Sequence, residues 1–288
     1  MKLLKSVASA FLAAGLLAGC SSSTSESTTT TETTEPETSD VTVLRVGATT
    51  SPHGIILEEA KKLLADDGIE LDIVEFSDYP NINPSTSDGS LDANYFQHSP
   101  YLESYNADND YESGVDGYLV SAGAIHYEPL GLYSEKYTTV EECPDGATIA
   151  IPNDATNEAR ALYLLQDLGL ITLSDDAAVD TATVADITEN PKNLQIEELA
   201  ADQIANVLPD VDYAVINGNY ALSAGVEKYL IAVEADTSDA AQLYQNVIAV
   251  KESNLDNEAI KKLVEVLRSD DIKDFISEEF GTMVVPAA

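Results

Sequence analysis

Tryptophan is absent from the 288 residues, and phenylalanine occurs only five times. There are two cysteines, two methionines and three histidines. Lys and Arg together number 14 against 51 Asp and Glu, a formal charge of −37. Each shortage excludes something. Nucleic acid needs clustered cations that displace its counterions, and this chain has too few to form such a cluster. The same charge keeps a folded body off anionic lipid. No apolar run reaches the roughly 20 residues that span a bilayer; VASAFLAAGLLAG at 7–19 stops at 13. His53, His98 and His126 stand far apart in sequence with no i,i+4 partner, so no metal site is expected. G-x-S-x-G, H-E-x-x-H and a Walker loop are all missing. Asp78, Asp154 and His98 could be assembled into an acid–base site, but nothing in their spacing demands it. The expectation is a protein without catalysis or cofactor, with a lipid-anchored hydrolase or transferase as the competing class.

The N-terminus is where the apolar residues concentrate. Lys2 and Lys5 precede the 7–19 run, as in a secretory signal. The signal ends in LAGC at 17–20, the pattern of a bacterial lipobox, in which Cys20 becomes the lipidated N-terminus after cleavage; the alternative is an ordinary secretory signal with a chance cysteine. Residues 1–19 are thus expected to be removed. Their two lysines go with them, leaving 12 basic against 51 acidic residues, a charge of −39. Cys143 is left without an intrachain partner, a bystander thiol. Residues 21–40, SSSTSESTTTTETTEPETSD, contain no large apolar side chain to bury, so 20–42 reads as a lipidated cysteine followed by a solvated tether. The expected location is the extracytoplasmic face of the cell membrane, held by the lipid alone.

From residue 43 strands alternate with helices. VLRVGAT (43–49) reads as a strand, HGIILEEAKKLLADDG (53–68) as a helix stopped by Gly68, and IELDIVEF (69–76) as a strand with alternating burial. That is a βαβ unit and a parallel sheet. The pattern restarts with a strand at 147–154, a helix at 157–169, strands at 212–217 and 244–250, and two C-terminal helices. Two βα units whose strand ends face each other would enclose a cleft, since open α/β sheets bind ligands at those ends. Lobe 1 is expected to hold residues 43–136 and 229–288, and lobe 2 residues 137–228.

The stretch ANYFQHSPY (93–101) places three aromatics, Tyr95, Phe96 and Tyr101, around Gln97 and His98, with Pro100 just before the last of them. A core strand would not need Gln-His in its middle, so the stretch reads as the wall of a small-ligand pocket. Arg160 is one of only three arginines, the others being Arg45 and Arg268. It is expected in about the first turn of a helix opening near Asn157, where a guanidinium fork suits a carboxylate. The competing reading is a surface Arg paired with Glu on its own helix. Asn217 ends an apolar strand and Asn246 lies inside another. Buried amides seldom stay unpaired, because that costs roughly 1–3 kcal/mol, though a strand-end Asn can also simply make a turn.

Several stretches match one family in order: VEFSDY (74–79), LDANYFQHSPYL (91–102), IPNDATNEAR (151–160), ENPKNLQIEEL (189–199), YAVIN (213–217) and YQNVIAV (244–250). With the lipobox, the chain resembles the methionine-binding lipoproteins of the NlpA type, the substrate-binding components of ABC importers. The resemblance covers about 43–285. It implies a type II periplasmic-binding-protein fold, two α/β lobes with a ligand cleft between them. It implies L-methionine or a similar amino acid as ligand, and a membrane permease with its cytoplasmic ATPase as partners. Tyr79, Phe96, His98 and Tyr101 would wall the side chain, where sulfur against aromatic rings gains about 0.3–1.5 kcal/mol. Asn157, Arg160, Asn217 and Asn246 would hold the α-amino and α-carboxylate groups. Another apolar amino acid or a short methionyl peptide is the alternative ligand.

Overall fold

The computed structural model describes residues 41–234 and 242–287. The expected signal segment, Cys20 and the tether to residue 40 lie outside the described residues.

Two sheets carry the fold. The first runs β13 (Val285–Pro286), β4 (Leu119–Tyr127), β12 (Gln245–Lys251), β3 (Ala93–His98), β1 (Thr42–Thr49), β2 (Ile69–Phe76). β1 is parallel to both β2 and β3, so the βαβ reading of residues 43–76 holds. Its helix, α1 (Ile55–Leu64), buries Ile56, Leu57, Ala60 and Leu64 against the sheet, and Gly68 leaves it in a left-handed conformation with φ 71°. That φ suits glycine because no Cβ meets the backbone there. The C-terminal helices α7 (Glu258–Leu267) and α8 (Asp270–Phe280) pack into the same core, each opened by a side-chain cap, Asn257 and Ser269.

The second sheet runs β11 (Leu230–Val233), β5 (Gly131–Tyr133), β10 (Tyr213–Ile216), β6 (Thr148–Pro152), β9 (Gln195–Leu199). β6 is parallel to β9 and β10, the restart read from sequence. A small pair, β7 (Thr172–Leu173) and β8 (Ile187–Glu189), lies beside it in sequence. β5 and β11 fall inside the lobe 1 drawn from sequence, yet both pair within the second sheet. The chain therefore crosses between sheets at 128–130 and returns between Val233 and Gln245. These short strands carry little periodicity, so the pairing across the crossing was not legible in the sequence.

ANYFQH is a strand after all. β3 lies between β1 and β12, and all six of its residues are buried. Its polar groups are satisfied by a side-chain network. Asn83 Nδ2 donates to Gln97 Oε1 at 2.8 Å, and Gln97 Nε2 donates to Asn83 Oδ1 at 2.6 Å and Asn94 Oδ1 at 2.7 Å. Pairing with β12 skips from Gln97 to Tyr95, which leaves Phe96 as the extra residue of a bulge. A bulge re-aims side chains locally. Tyr95 turns to His126 in the core, while Phe96 turns to Tyr79 and Tyr101.

Candidate ligand-binding site

All eight residues singled out from sequence line one cleft. Tyr79, Phe96, His98, Tyr101 and Asn246 come with the first sheet, and Asn157, Arg160 and Asn217 with the second. Gln97, Glu128, Gly218 and Asn219 complete the lining, and sequence reading missed them in this role.

Three rings form the apolar wall. Tyr79 lies 5.6 Å from Phe96 and 5.7 Å from Tyr101, centroid to centroid, and Phe96 lies 5.7 Å from Tyr101. Tyr220, 4.9 Å from Tyr79, backs the wall from the second sheet's side. Such tilted and edge-on contacts are the preferred geometry for aromatic rings.

His98 joins the wall to the polar end. It caps α3 (Ser99–Asp108), its Nδ1 accepting from the Tyr101 backbone N–H at 3.2 Å. That places the ring proton on Nε2, which donates to Asn157 Oδ1 at 3.1 Å. Burial, helped by the Arg160 charge, lowers His98 to about 3, so the ring is neutral at physiological pH. Asn157 Oδ1 also accepts from Asn217 Nδ2 at 2.8 Å, and Asn157 Nδ2 donates to Asp154 at 2.8 Å. The Asn157 carbonyl oxygen is thus filled within the protein. That of Asn217 is not, being buried without a partner among the described residues. Asn219 Oδ1 accepts from the Tyr79 hydroxyl at 2.6 Å, leaving its buried Nδ2 likewise unpartnered. One acceptor and one donor are left over in the same cleft, and an unpaired buried polar atom is costly unless something meets it.

Arg160 lies further into its helix than expected, because α4 (Ala155–Asp167) begins two residues before Asn157 with Asp154 as cap. It is buried, not a surface residue, and its partner comes from a distant segment. Nε donates to Glu234 Oε1 at 2.8 Å, while Nη2 donates to Glu234 Oε2 and to the Glu128 carbonyl, both at 2.7 Å. The bidentate edge that sequence reading reserved for a ligand carboxylate is therefore held by Glu234. Nη1 is the nitrogen these bonds leave over among the described residues. Burial alone would raise the Glu234 carboxyl, but Arg160, Tyr127 and the Leu130 amide bring it below its ordinary range. Tyr244 lies under the guanidinium, 4.4 Å from its ring centroid.

Sequence spacing also separated His53 from His126, and here the fold overrules it. Their rings are 5.1 Å apart, and both Nε2 atoms approach the same Glu128 oxygen. His126 Nε2 is 2.8 Å and His53 Nε2 3.3 Å from Glu128 Oε1. The remaining ring bonds go to Tyr95, Thr49 and Asn246, with His53 Nε2 2.9 Å from Asn246 Oδ1. Every ring nitrogen of the pair has a partner in the protein, so the cluster is a hydrogen-bonded support for Glu128. Burial lowers His53 to about 4 and His126 to about 3, and both are neutral. Burial raises Glu128, opposed by His53, Arg160 and the Asn219 amide. Sequence signals for this support existed in HYEP (126–129) and NGN (217–219), but only the crossing at 128–130 brings them together.

Among the described residues no helix is long and apolar enough to cross a membrane. The methionine-binding lipoprotein MetQ of Bacillus subtilis strain 168 is 40% identical over 245 residues, 84% of this chain and 87% of that protein. A crystallised lipoprotein from Ruminococcus gnavus shares 48% identity at a TM-score of 0.81, covering 85% of this chain and 99% of its own. A nutrient-binding protein from Burkholderia cenocepacia, solved bound to methionine, shares 40% at 0.79, covering 85% and 100%. Solved relatives include the substrate-binding protein of a methionine transporter, which places the fold among the binding proteins of ABC transporters rather than among enzymes. The NlpA lipoprotein model matches residues 44–288, and the chain belongs to that family.

Proposed function

We propose that this chain is a lipid-anchored, extracytoplasmic binding protein that captures methionine and delivers it to an ABC permease driven by a cytoplasmic ATPase. The observation that carries this reading is the pairing, in one cleft, of a ring wall suited to a thioether with a polar end holding unspent donors and acceptors. Tyr79, Phe96, His98 and Tyr101 wall the side chain. Arg160 Nη1 and Asn219 Nδ2 take the carboxylate, and Asn217 Oδ1 faces the amine. Asn157 and Asn246 orient their neighbours. Cys20 carries the lipid, and the acidic body stands off the membrane on its tether. The names of the relatives support the ligand, and the lipobox supports the anchor. We place the lobe boundaries at the two crossings, so that the ligand touches both lobes.

The test is calorimetry on ligand-stripped protein with L-methionine, other apolar amino acids and short methionyl peptides. Tight binding of methionine alone is expected, and at 1,000 times its dissociation constant methionine stabilises the fold by about 4 kcal/mol. No response to methionine beside a clear response to another solute would overturn the reading.

A further inference from the structure

The ring wall offers more than a thioether needs. Tyr79, Phe96 and Tyr101 stand at the corners of a near-equilateral triangle, 5.6 to 5.7 Å on each side, with planes inclined at 43°, 70° and 80°. A group resting on this triangle lies within the roughly 6 Å over which a ring attracts a cation, and from all three rings at once. Among the described residues no Lys or Arg lies over these rings; Arg160 faces Tyr127 and Tyr244, and Lys228 faces Tyr229. The charges beside the wall are negative. Burial, then Asp154 and Asp78, pushes the Tyr101 hydroxyl well above its ordinary range. Neither carboxylate enters an ion pair among the described residues. Asp154 Oδ1 accepts from the Asn157 N–H at 3.1 Å and from Asn157 Nδ2 at 2.8 Å. Burial raises Asp154 against these donors, and a cation alongside would favour its charged form. Space continues past Tyr101. Successive turns of α3 set Tyr101, Ser104, Tyr105 and Asp108 on one face, and with Asp154 and Thr156 they line a second pocket that shares Tyr101 with the cleft.

We propose that the cleft also takes a sulfonium amino acid, methionine alkylated at sulfur. The cation rests on the Tyr79–Phe96–Tyr101 triangle, Asp154 and Asp78 balance its charge, and the added alkyl group points past Tyr101 into the second pocket. The inference rests on the methionine reading above and extends the ligand class from a thioether to an onium. A neutral branched side chain of the same shape fills the same space but gains nothing from the ring faces or the carboxylates, so charge alone separates the two.

The experiment is titration calorimetry on ligand-stripped protein with L-methionine, S-methyl-L-methionine and L-homoleucine, whose side chain puts a CH where the second has its sulfonium sulfur. Wild type should bind the sulfonium ligand at least about tenfold more tightly than homoleucine. Asp154→Asn keeps an oxygen to cap α4 and should cut that preference by about fivefold or more. Should Asp154→Asn fail to fold, Asp78→Asn is read in the same way. Homoleucine binding as tightly as the sulfonium ligand, or a preference that the variant leaves unchanged, overturns the inference. In either case methionine binding by wild type keeps the methionine reading intact. A wild type that binds none of the three overturns that reading and the inference with it.

Discussion

Arg160 and Glu234 meet edge to edge, Nε to Oε1 at 2.8 Å and Nη2 to Oε2 at 2.7 Å, with both side chains more than nine-tenths buried. Glu234 directly follows the last strand of the second sheet, where the chain turns back toward the first. The same Nη2 holds the carbonyl of Glu128 in the other crossing. One guanidinium therefore ties together both passages between the sheets. Its helix belongs to the second sheet's core, so the tie fixes the crossings against that side.

Removing one partner of such a pair strands the other charge. Glu234→Ala should destabilise the fold by about 3–5 kcal/mol in urea unfolding. A loss below about 1 kcal/mol, the range of exposed pairs, would mean the pair is solvated and does not tie the crossings.

Arg160→Ala should weaken methionine binding by more than about tenfold, and it strands Glu234 as well. The two effects separate in the double variant Arg160→Leu, Glu234→Leu. Apolar replacement of a buried pair is often neutral or stabilising by about 1–4 kcal/mol, so urea stability should return while binding does not. Recovery of binding in the double variant, measured by calorimetry, would show that Nη1 plays no part in holding the ligand.

Gly218 is needed for room rather than for φ. A methyl there would stand 2.7 Å from Glu128 Oε2 and 3.0 Å from its Cβ. Gly218→Ala should displace the carboxylate, costing methionine affinity about tenfold or more, while the helix that Gly218 opens, Gly218–Ala224, gains from alanine. Thermal melting should stay near wild type. Unchanged affinity would place the ligand away from Glu128.

The site was half legible in the sequence for a physical reason. Arg160, Asn157, Asn217 and Asn246 stood out because polar groups next to buried elements must be paired, and that signal is local. The rings of 93–101 stood out by density, although their strand was missed because Gln97 looked too polar for a core. Its satisfaction depends on Asn83, which sits on a short helix, Ile82–Ser87, that no periodicity announces. Glu128, Glu234 and the His53–His126 pair were illegible because their contacts exist only once the two crossings are made. The βαβ order predicted the parallel halves, but β5 and β11 add to the second sheet antiparallel, through pairings no short strand encodes.

His98 gives a pH signature that geometry alone would not. The imidazole titrates near 6.5 in an unfolded chain and at about 3 in the fold, chiefly through burial. Above pH 6.5 both states are neutral, so the stability tied to this ring is complete. As pH falls below 6.5 the unfolded chain takes up a proton that the fold refuses, and stability is lost progressively toward the folded value. His98→Asn keeps a capping side chain but removes the titration. The stability advantage of wild type over this variant should shrink by roughly 1 kcal/mol per pH unit between 6.5 and about 4. Urea unfolding at several pH values measures it, and the other buried acids and histidines cancel in the difference. A gap independent of pH would mean that His98 takes up its proton as readily in the fold as in the unfolded chain.

The last expectation concerns motion. Tyr79 and Asn219 bridge the two sides of the cleft, as do His98 and Asn157. The ligand proposed here lies between the same elements and adds contacts that only a closed cleft provides. Differential contact is what shifts an equilibrium between open and closed forms. Methionine has nine heavy atoms, so nanomolar affinity needs about 1.4 kcal/mol per atom, near the ceiling of about 1.5. A ligand held on one side could not reach that. Small-angle scattering should therefore show the radius of gyration falling when methionine is added to verified ligand-free protein. Tyr79→Phe removes the hydroxyl that reaches Asn219, so the closed form should be less populated without ligand and methionine should produce the larger change. Identical scattering curves with and without saturating methionine would rule out closure as the capture mechanism, even with methionine as the true ligand.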